Sequence, residues 1–235
     1  MQLNDVNAVV TGVNKGIGKA VVEGLLEGGA RVSGWGRTPL NVRNPNFQFF
    51  PCQLDDFGSV EKTAHATMAW LGTAPNVVFN NAGMGYFAML EDYSLEQWHE
   101  MVSINMHAPF YILKCLLPEI KKLERGHLFN MSSLAGLDGM AQASGYCAVK
   151  HGIRGMSSAL TKELRDHNIK VTTIYPGSTQ TDFFQNAPGI EAHAYMMQPG
   201  DVAGQVIQAI QTPDNFLVDH LQFRPLQPKG PRQKT

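Results

Sequence analysis

Charge is scarce in this chain: Asp, Glu, Lys and Arg make up 17% of its 235 residues, below the roughly one quarter usual for soluble domains. The signs nearly cancel, with 19 cations against 20 anions and a net charge of −1. The basic excess that a nucleic-acid-binding surface needs is therefore absent. Cysteine is scarce too. Cys52, Cys115 and Cys147 are odd in number and form no CxxC pair, which argues against a disulfide framework or a cysteine zinc site and for a reducing compartment. The histidines show no close pair at metal-ligand spacing, so no metal is expected. No apolar run approaches the roughly 18 residues of a membrane span, and the start, MQLNDVNAVV, lacks the layout of a secretory signal. These absences lead to the expectation of a cytoplasmic protein without a nucleic-acid or membrane partner.

What is present is an apolar 43%, distributed as short runs alternating with helical spacing. Strands are expected at 7–11, 31–35, 47–52, 76–80, 127–131, 170–175 and 216–221. Helices are expected at 16–27, 59–71, 95–123, 145–167 and 201–211. Strands separated by helices imply right-handed βαβ units. Near-continuously apolar strands imply burial on both faces. The expected fold is α/β, a Rossmann-like doubly wound parallel sheet flanked by helices on both faces. It forms a single domain over 1–226, with a polar, flexible tail at 227–235.

The first strand runs into Thr11-Gly12-Val13-Asn14-Lys15-Gly16-Ile17-Gly18, and a helix follows. Glycines there let backbone amides approach a pyrophosphate, and the positive helix N-terminus favours its charge. Two further motifs stand at matching places: Asn80-Asn81-Ala82-Gly83 after the fourth strand, and Tyr146-Cys147-Ala148-Val149-Lys150 on a helix. Residues four apart share a helical face, so the Tyr146 phenol and the Lys150 ammonium can point into one cleft. A nearby cation favours the phenolate and brings a phenol toward the working range of a general acid/base. Ser133, thirteen residues before Tyr146, closes a strand whose C-terminal end borders the crevice where α/β ligands bind. Its neighbour Ser132 is the alternative.

The G-x-x-x-G-x-G spacing, followed in order by these motifs over nearly the whole chain, resembles the single-domain short-chain dehydrogenase/reductase family. The resemblance implies the roles. Tyr146 would pass a proton to or from the substrate oxygen, and Ser133 would hold that oxygen. Lys150 would lower the Tyr146 pKa and hold the nicotinamide ribose. Asn105 would position a water linking Lys150 to solvent. Cofactor contacts are implied for Gly12, Asn14, Lys15, Gly16, Ile17, Gly18, Asn81, Ala82 and Gly83. Pro176-Gly177 with Thr179 and Thr181 would hold the carboxamide or pyrophosphate.

The end of the second strand selects the nicotinamide. A carboxylate there would bind the adenosine ribose and repel a 2′-phosphate, but Gly36 takes that place and Arg37 follows. Arg37 and Lys15 suit a phosphate, so the expected cofactor is NADP(H). Where the family usually has an acid for the adenine this chain has Gln53, whose amide oxygen can still accept; the Leu54 backbone is the other candidate.

Met84, Leu134, Met140, Phe183 and Phe184 are the expected substrate contacts, which describe a medium-sized, largely apolar ketone or aldehyde. The expected enzyme is an NADP-dependent carbonyl/alcohol oxidoreductase, a carbonyl reductase assembled as a homo-oligomer, dimer or tetramer. Alternatives are a 3-oxoacyl-thioester reductase or hydroxy-acid dehydrogenase of the same family, and a non-enzymatic NADPH sensor.

Overall fold

Strands buried on both faces carry unbroken apolar runs, and here those runs become one sheet. The structure, a computed structural model, describes residues 1–123, 125–184, 193 and 195–227, and of Phe184 only the backbone. The strands are β1 (Asn7–Thr11), β2 (Arg31–Gly36), β3 (Phe47–Pro51), β4 (Val77–Asn80), β5 (Gly126–Met131), β6 (Ile169–Pro176) and β7 (His220–Phe223). Every pairing is parallel, in the order β3-β2-β1-β4-β5-β6-β7. This is the doubly wound arrangement expected from the sequence. The order reverses between β1 and β4, where a crevice opens at the carboxyl ends of the strands.

Successive side chains of a strand point to opposite faces, and β1 illustrates the consequence. Ala8 and Val10 join a core with Val22 and Leu25 of α1 (Gly16–Glu27) and Val206 of α6 (Pro199–Ile210). Val9 between them joins the opposite core. Its companions are Val60 of α2 (Phe57–Leu71), Ile112 and Leu116 of α4 (Ala108–Ile120), and Leu164 of α5 (Ser144–Leu164). Helix ends follow local chemistry. Asp56 accepts from Ser59 N–H at 2.6 Å to start α2, and Gly72, at φ 74°, ends it. An N-cap of this kind contributes about 1 kcal/mol.

Three elements depart from the sequence expectation by more than one or two residues at an end. The helical run from Leu95 is continuous but not uniform: α3 (Leu95–Val102) passes into a π turn (Ser103–His107) before α4. A π turn is a single-turn widening inside a continuous helix, too local for the periodicity of the whole run to reveal. Helix α5 stops at Leu164 and gives way to a 3-10 turn, Arg165–His167, closed by Asn168 at φ 54°. The last strand is β7 at 220–223, not 216–221. Phe216 and Leu217 are 56% and 42% exposed. As an edge strand β7 alternates exposed and half-buried residues, so an apolar run does not mark it. Residues 213–219 instead form a connector, pinned where the Thr172 hydroxyl donates to Val218 O at 2.6 Å.

Among the described residues no helix is long and apolar enough to cross a membrane. Residues 228–235 of the expected tail lie outside the described residues.

Candidate active site

The turn after β1 owes its shape to its glycines. Gly12 and Gly16 sit at φ 68° and 58°, conformations that penalise a Cβ. Gly18 is required for space: a Cβ there would collide with the Gly12 carbonyl. The first turn of α1 therefore rests directly on the loop. Its leading amides carry no side-chain cap, which leaves them free for an anion.

A clasp ties this turn to the one after β4. The Thr11 hydroxyl accepts from the Asn81 and Ala82 amides at 3.0 and 2.9 Å, and the Asn81 side chain donates to Thr11 O and Gly12 O at 2.9 and 3.2 Å. The Asn81 amide group is thus spent on the backbone of the glycine turn, which it holds open.

Between these turns and the ends of β5 and β6 lies a cleft of about 740 Å³, within the size range of cofactor sites. All the cofactor residues expected from the sequence line it except Gly18, which sits behind the turn. Arg37, Gln53, Leu54 and Asp55 line one stretch; Ser133, Tyr146 and Lys150 line another. Arg37 forms no ion pair among the described residues. Lys15 does, with Asp182 at 3.0 Å across the mouth of the cleft. Thr181 packs over Gly16, where a Cβ would come within 3.2 Å of its methyl carbon.

The floor is buried. Tyr146 and Lys150 are 6% and 3% exposed. Burial pushes the Tyr146 phenol well up, and a hydrogen bond with Ser133 only partly opposes this. The expected lowering of the phenol by Lys150 is not what this site does alone. The lysine Nζ stands 5.7 Å from the ring centroid and donates to Met131 O at 3.1 Å. Burial brings Lys150 itself down to about 7. Both shifts have one cause: each group resists its charged form away from water.

The serine alternatives are separated by direction. Ser132, 2% exposed, turns inward and donates to Lys150 O at 2.9 Å. Ser133 faces the cleft, where its hydroxyl works against the upward shift of the Tyr146 phenol. Asn105 lies in the π turn, 2% exposed and just behind the cleft wall. Its amide donates to Met101 O and Met84 O, both at 2.9 Å. Its buried Oδ1 has no partner among the described residues. A Cβ on Gly83 would lie 2.9 Å from that oxygen and 3.3 Å from Lys150 Nζ, so the two polar atoms converge on one point.

Among the expected substrate contacts, Met84 and Phe183 line the cleft, whereas Leu134 and Met140 do not. The reason is the 3-10 turn Leu134–Gly136. It lays Leu134 against Gly177 and carries Met140 to the surface, 47% exposed. The side chain of Phe184 lies outside the described residues. Further residues of the site carry no signal in the sequence. Phe87 joins Phe183 in flanking Tyr146, with ring centroids 5.4 and 5.6 Å away; Glu100, Ile104 and Asp182 join the wall. Phe87, Glu100, Ile104 and Asp182 belong to no motif, and only the fold brings them there. No group of three or more His, Cys, Asp or Glu that could hold a metal exists among the described residues.

A family model described as short chain dehydrogenase matches residues 6–190. An uncharacterized oxidoreductase of Staphylococcus aureus strain MRSA252 is 29% identical over 95% of this chain and 99% of its own length. A metagenomic short-chain oxidoreductase solved in complex with NADP is 27% identical, with a TM-score of 0.80 over 96% of this chain and 99% of that one. An alcohol dehydrogenase from the archaeon Thermococcus sibiricus, solved with 5-hydroxy-NADP, shares the fold at a TM-score of 0.85 and 24% identity, covering 97% and 99%.

Proposed function

The chain belongs to the short-chain dehydrogenase/reductase family of oxidoreductases, and on that premise we propose that it interconverts a carbonyl compound and an alcohol with NADP(H). The observation that carries this reading is the meeting of buried Tyr146 and Lys150 with half-buried Ser133 on the floor of a cleft that also contains the glycine turn. A nicotinamide, when bound, supplies or accepts the hydride.

The free amides of α1 and the turn at Asn14 and Ile17 suit the pyrophosphate. Arg37, unpaired among the described residues, suits a 2′-phosphate, and Lys15 would exchange Asp182 for it. Gln53 and the Leu54 backbone suit the adenine. Tyr146 and Lys150 suit the nicotinamide ribose. Pro176, Gly177, Thr179 and Thr181 suit the carboxamide side.

In reduction, Ser133 hydrogen-bonds the substrate oxygen and stabilises its growing charge. Tyr146, held neutral by burial, gives that oxygen its proton. Lys150, at about 7, is matched to restoring the proton near neutral pH. Asn105 Oδ1 and Lys150 Nζ converge on a point suited to a water that relays it. In oxidation the same groups run in reverse.

The test is NADPH consumption by purified protein against ketones, aldehydes, diketones and 3-oxoacyl thioesters, with NADH in parallel. Turnover with NADPH is expected. Arg37→Ala is expected to cut the preference for NADPH over NADH by about tenfold, since it removes a charge-assisted phosphate contact. Equal use of both cofactors by the parent protein would overturn the NADP(H) assignment.

We assign self-association to the helices that carry the site. Leu95, Trp98 and Phe110 on α3 and α4 are 70%, 37% and 55% exposed, more large apolar surface than one helical run ordinarily leaves in water. Sedimentation should find a dimer or tetramer, and Phe110→Glu should shift it toward monomer. A monomeric parent protein would dismiss this face.

A further inference from the structure

The wall of the cleft contains an acid that the reaction above does not use. Glu100 projects from α3 into the cleft lining, five residues before Asn105. Its Oε2 accepts from the Tyr86 hydroxyl at 2.7 Å. Its other oxygen accepts no hydrogen bond, and it forms no ion pair, among the described residues.

The backbone of Tyr86 is held at both its amide and its carbonyl. Its amide donates to Met101 Sδ at 3.3 Å, and its carbonyl accepts from the Tyr93 hydroxyl at 2.9 Å. From that anchored backbone the phenol reaches the carboxylate, and the pair stands at the solvent-facing side of the cleft. Tyr86 and Glu100 line the same cleft as Tyr146. Gly85, next to Tyr86 in the chain, lies so near Tyr146 that an added Cβ would stand 3.0 Å from its ring carbon Cδ2. Phe183 comes within 3.1 Å of the same point. The surroundings of Tyr146 are thus aromatic, and Glu100 adds a carboxylate to the lining of the same cleft.

We propose that Glu100, oriented by Tyr86, is a substrate-positioning residue that selects carbonyl compounds bearing a second hydrogen-bond donor, a hydroxyl or ammonium group, several carbons from the reacting carbon. The inference deepens the oxidoreductase reading and rests on it. A free carboxylate oxygen accepts from either donor and binds an ammonium more strongly, because both partners are then charged. It repels a second carboxylate. The substrate class is therefore not the purely apolar one that Met84 and Phe183 suggest by themselves.

Three matched ketones test it: 4-(aminomethyl)acetophenone, 4-(hydroxymethyl)acetophenone and 4-ethylacetophenone. Their binding to the protein with oxidised cofactor is measured by calorimetry, where no reduction can occur, and their kcat and KM with NADPH in parallel. The parent protein is expected to bind the ammonium ketone about tenfold more tightly than the ethyl one, with the hydroxyl ketone between, as charge-assisted contacts require. Glu100→Gln keeps an acceptor but no charge, so the ammonium advantage should vanish while part of the hydroxyl advantage remains. Glu100→Leu should remove both. Tyr86→Phe should weaken both by letting the carboxylate wander, through KM and not kcat.

A parent protein that binds no donor-bearing ketone more tightly than the ethyl one, or a preference untouched by Glu100→Leu, would overturn the proposal. Turnover of the ethyl ketone alone would leave the oxidoreductase reading standing without it. A donor preference in binding with no turnover of any ketone would uphold Glu100 and count against the reaction instead.

Discussion

Tyr146→Phe is expected to lower carbonyl reduction by about 10²–10⁴-fold, the usual contribution of a positioned general acid, while costing NADPH binding only its one ribose contact and leaving the fold in place. The substitution removes one oxygen. The ring remains against Phe87 and Phe183 and beside Gly85, so the aromatic packing persists. No other group at this point can replace the proton donor. Ser133 is an alcohol, and Lys150 donates to Met131 O instead of standing in the phenol's place.

The pH dependence carries the same signature. Burial raises the phenol above its ordinary value of 10.0, so the proton needed for reduction stays in place through the neutral and mildly alkaline range. Reduction should be nearly level there. Oxidation, which needs the phenolate, should rise with pH. NADPH fluorescence measures the binding and a stopped-time assay the rate. Tyr146→Phe protein that turns over like the parent would remove the phenol from the reaction.

Lys150→Met is expected to abolish turnover and at the same time stabilise the protein. The unfolded lysine holds its proton up to 10.5, and the folded one only up to about 7. The unfolded state therefore binds more protons between those values, and burial of the ammonium costs the fold about 5 kcal/mol at the acid end of that window. Removing the amine also removes its bond to Met131 O, worth about 1 kcal/mol. The net gain should be about 2–4 kcal/mol below pH 7, or a rise in Tm of roughly 4–16 °C for a chain of this size.

The gain should shrink as pH rises from about 7 and be gone above 10.5, where the lysine is neutral in both states. Thermal melts at acid and alkaline pH measure it. A Met variant no more stable than the parent at pH 6 would mean that water in the cleft keeps the ammonium solvated. A site that stores destabilisation for chemistry is a familiar compromise between activity and stability.

Much of this molecule is written in local pattern. The apolar runs of β1 and β4 could only be strands buried on both faces. The spacing of Tyr146 and Lys150 places both on one side of α5, because a helix repeats every 3.6 residues. The three glycines of the first turn announce an anion cradle by their spacing between a strand and a helix. These features depend on a few neighbours in the chain, and so the chain alone determines them.

The rest depends on elements far apart in sequence. That Asn81 serves the backbone of Thr11 and Gly12 follows from the pairing of β1 with β4. That Asn105 is buried with a bare oxygen near Lys150 follows from a π turn and the approach of α5. Ser133 is favoured over its neighbour Ser132 in the sequence, and the fold separates them by direction, since consecutive residues leaving a strand face opposite ways. Leu134 left the cleft because a 3-10 turn bent the chain behind it. Glu100 and Asp182 entered the site with no motif to announce them, brought there by helix and loop packing. Periodicity fixes which way a side chain points within its own element, and only the non-local pairing of elements decides what it meets.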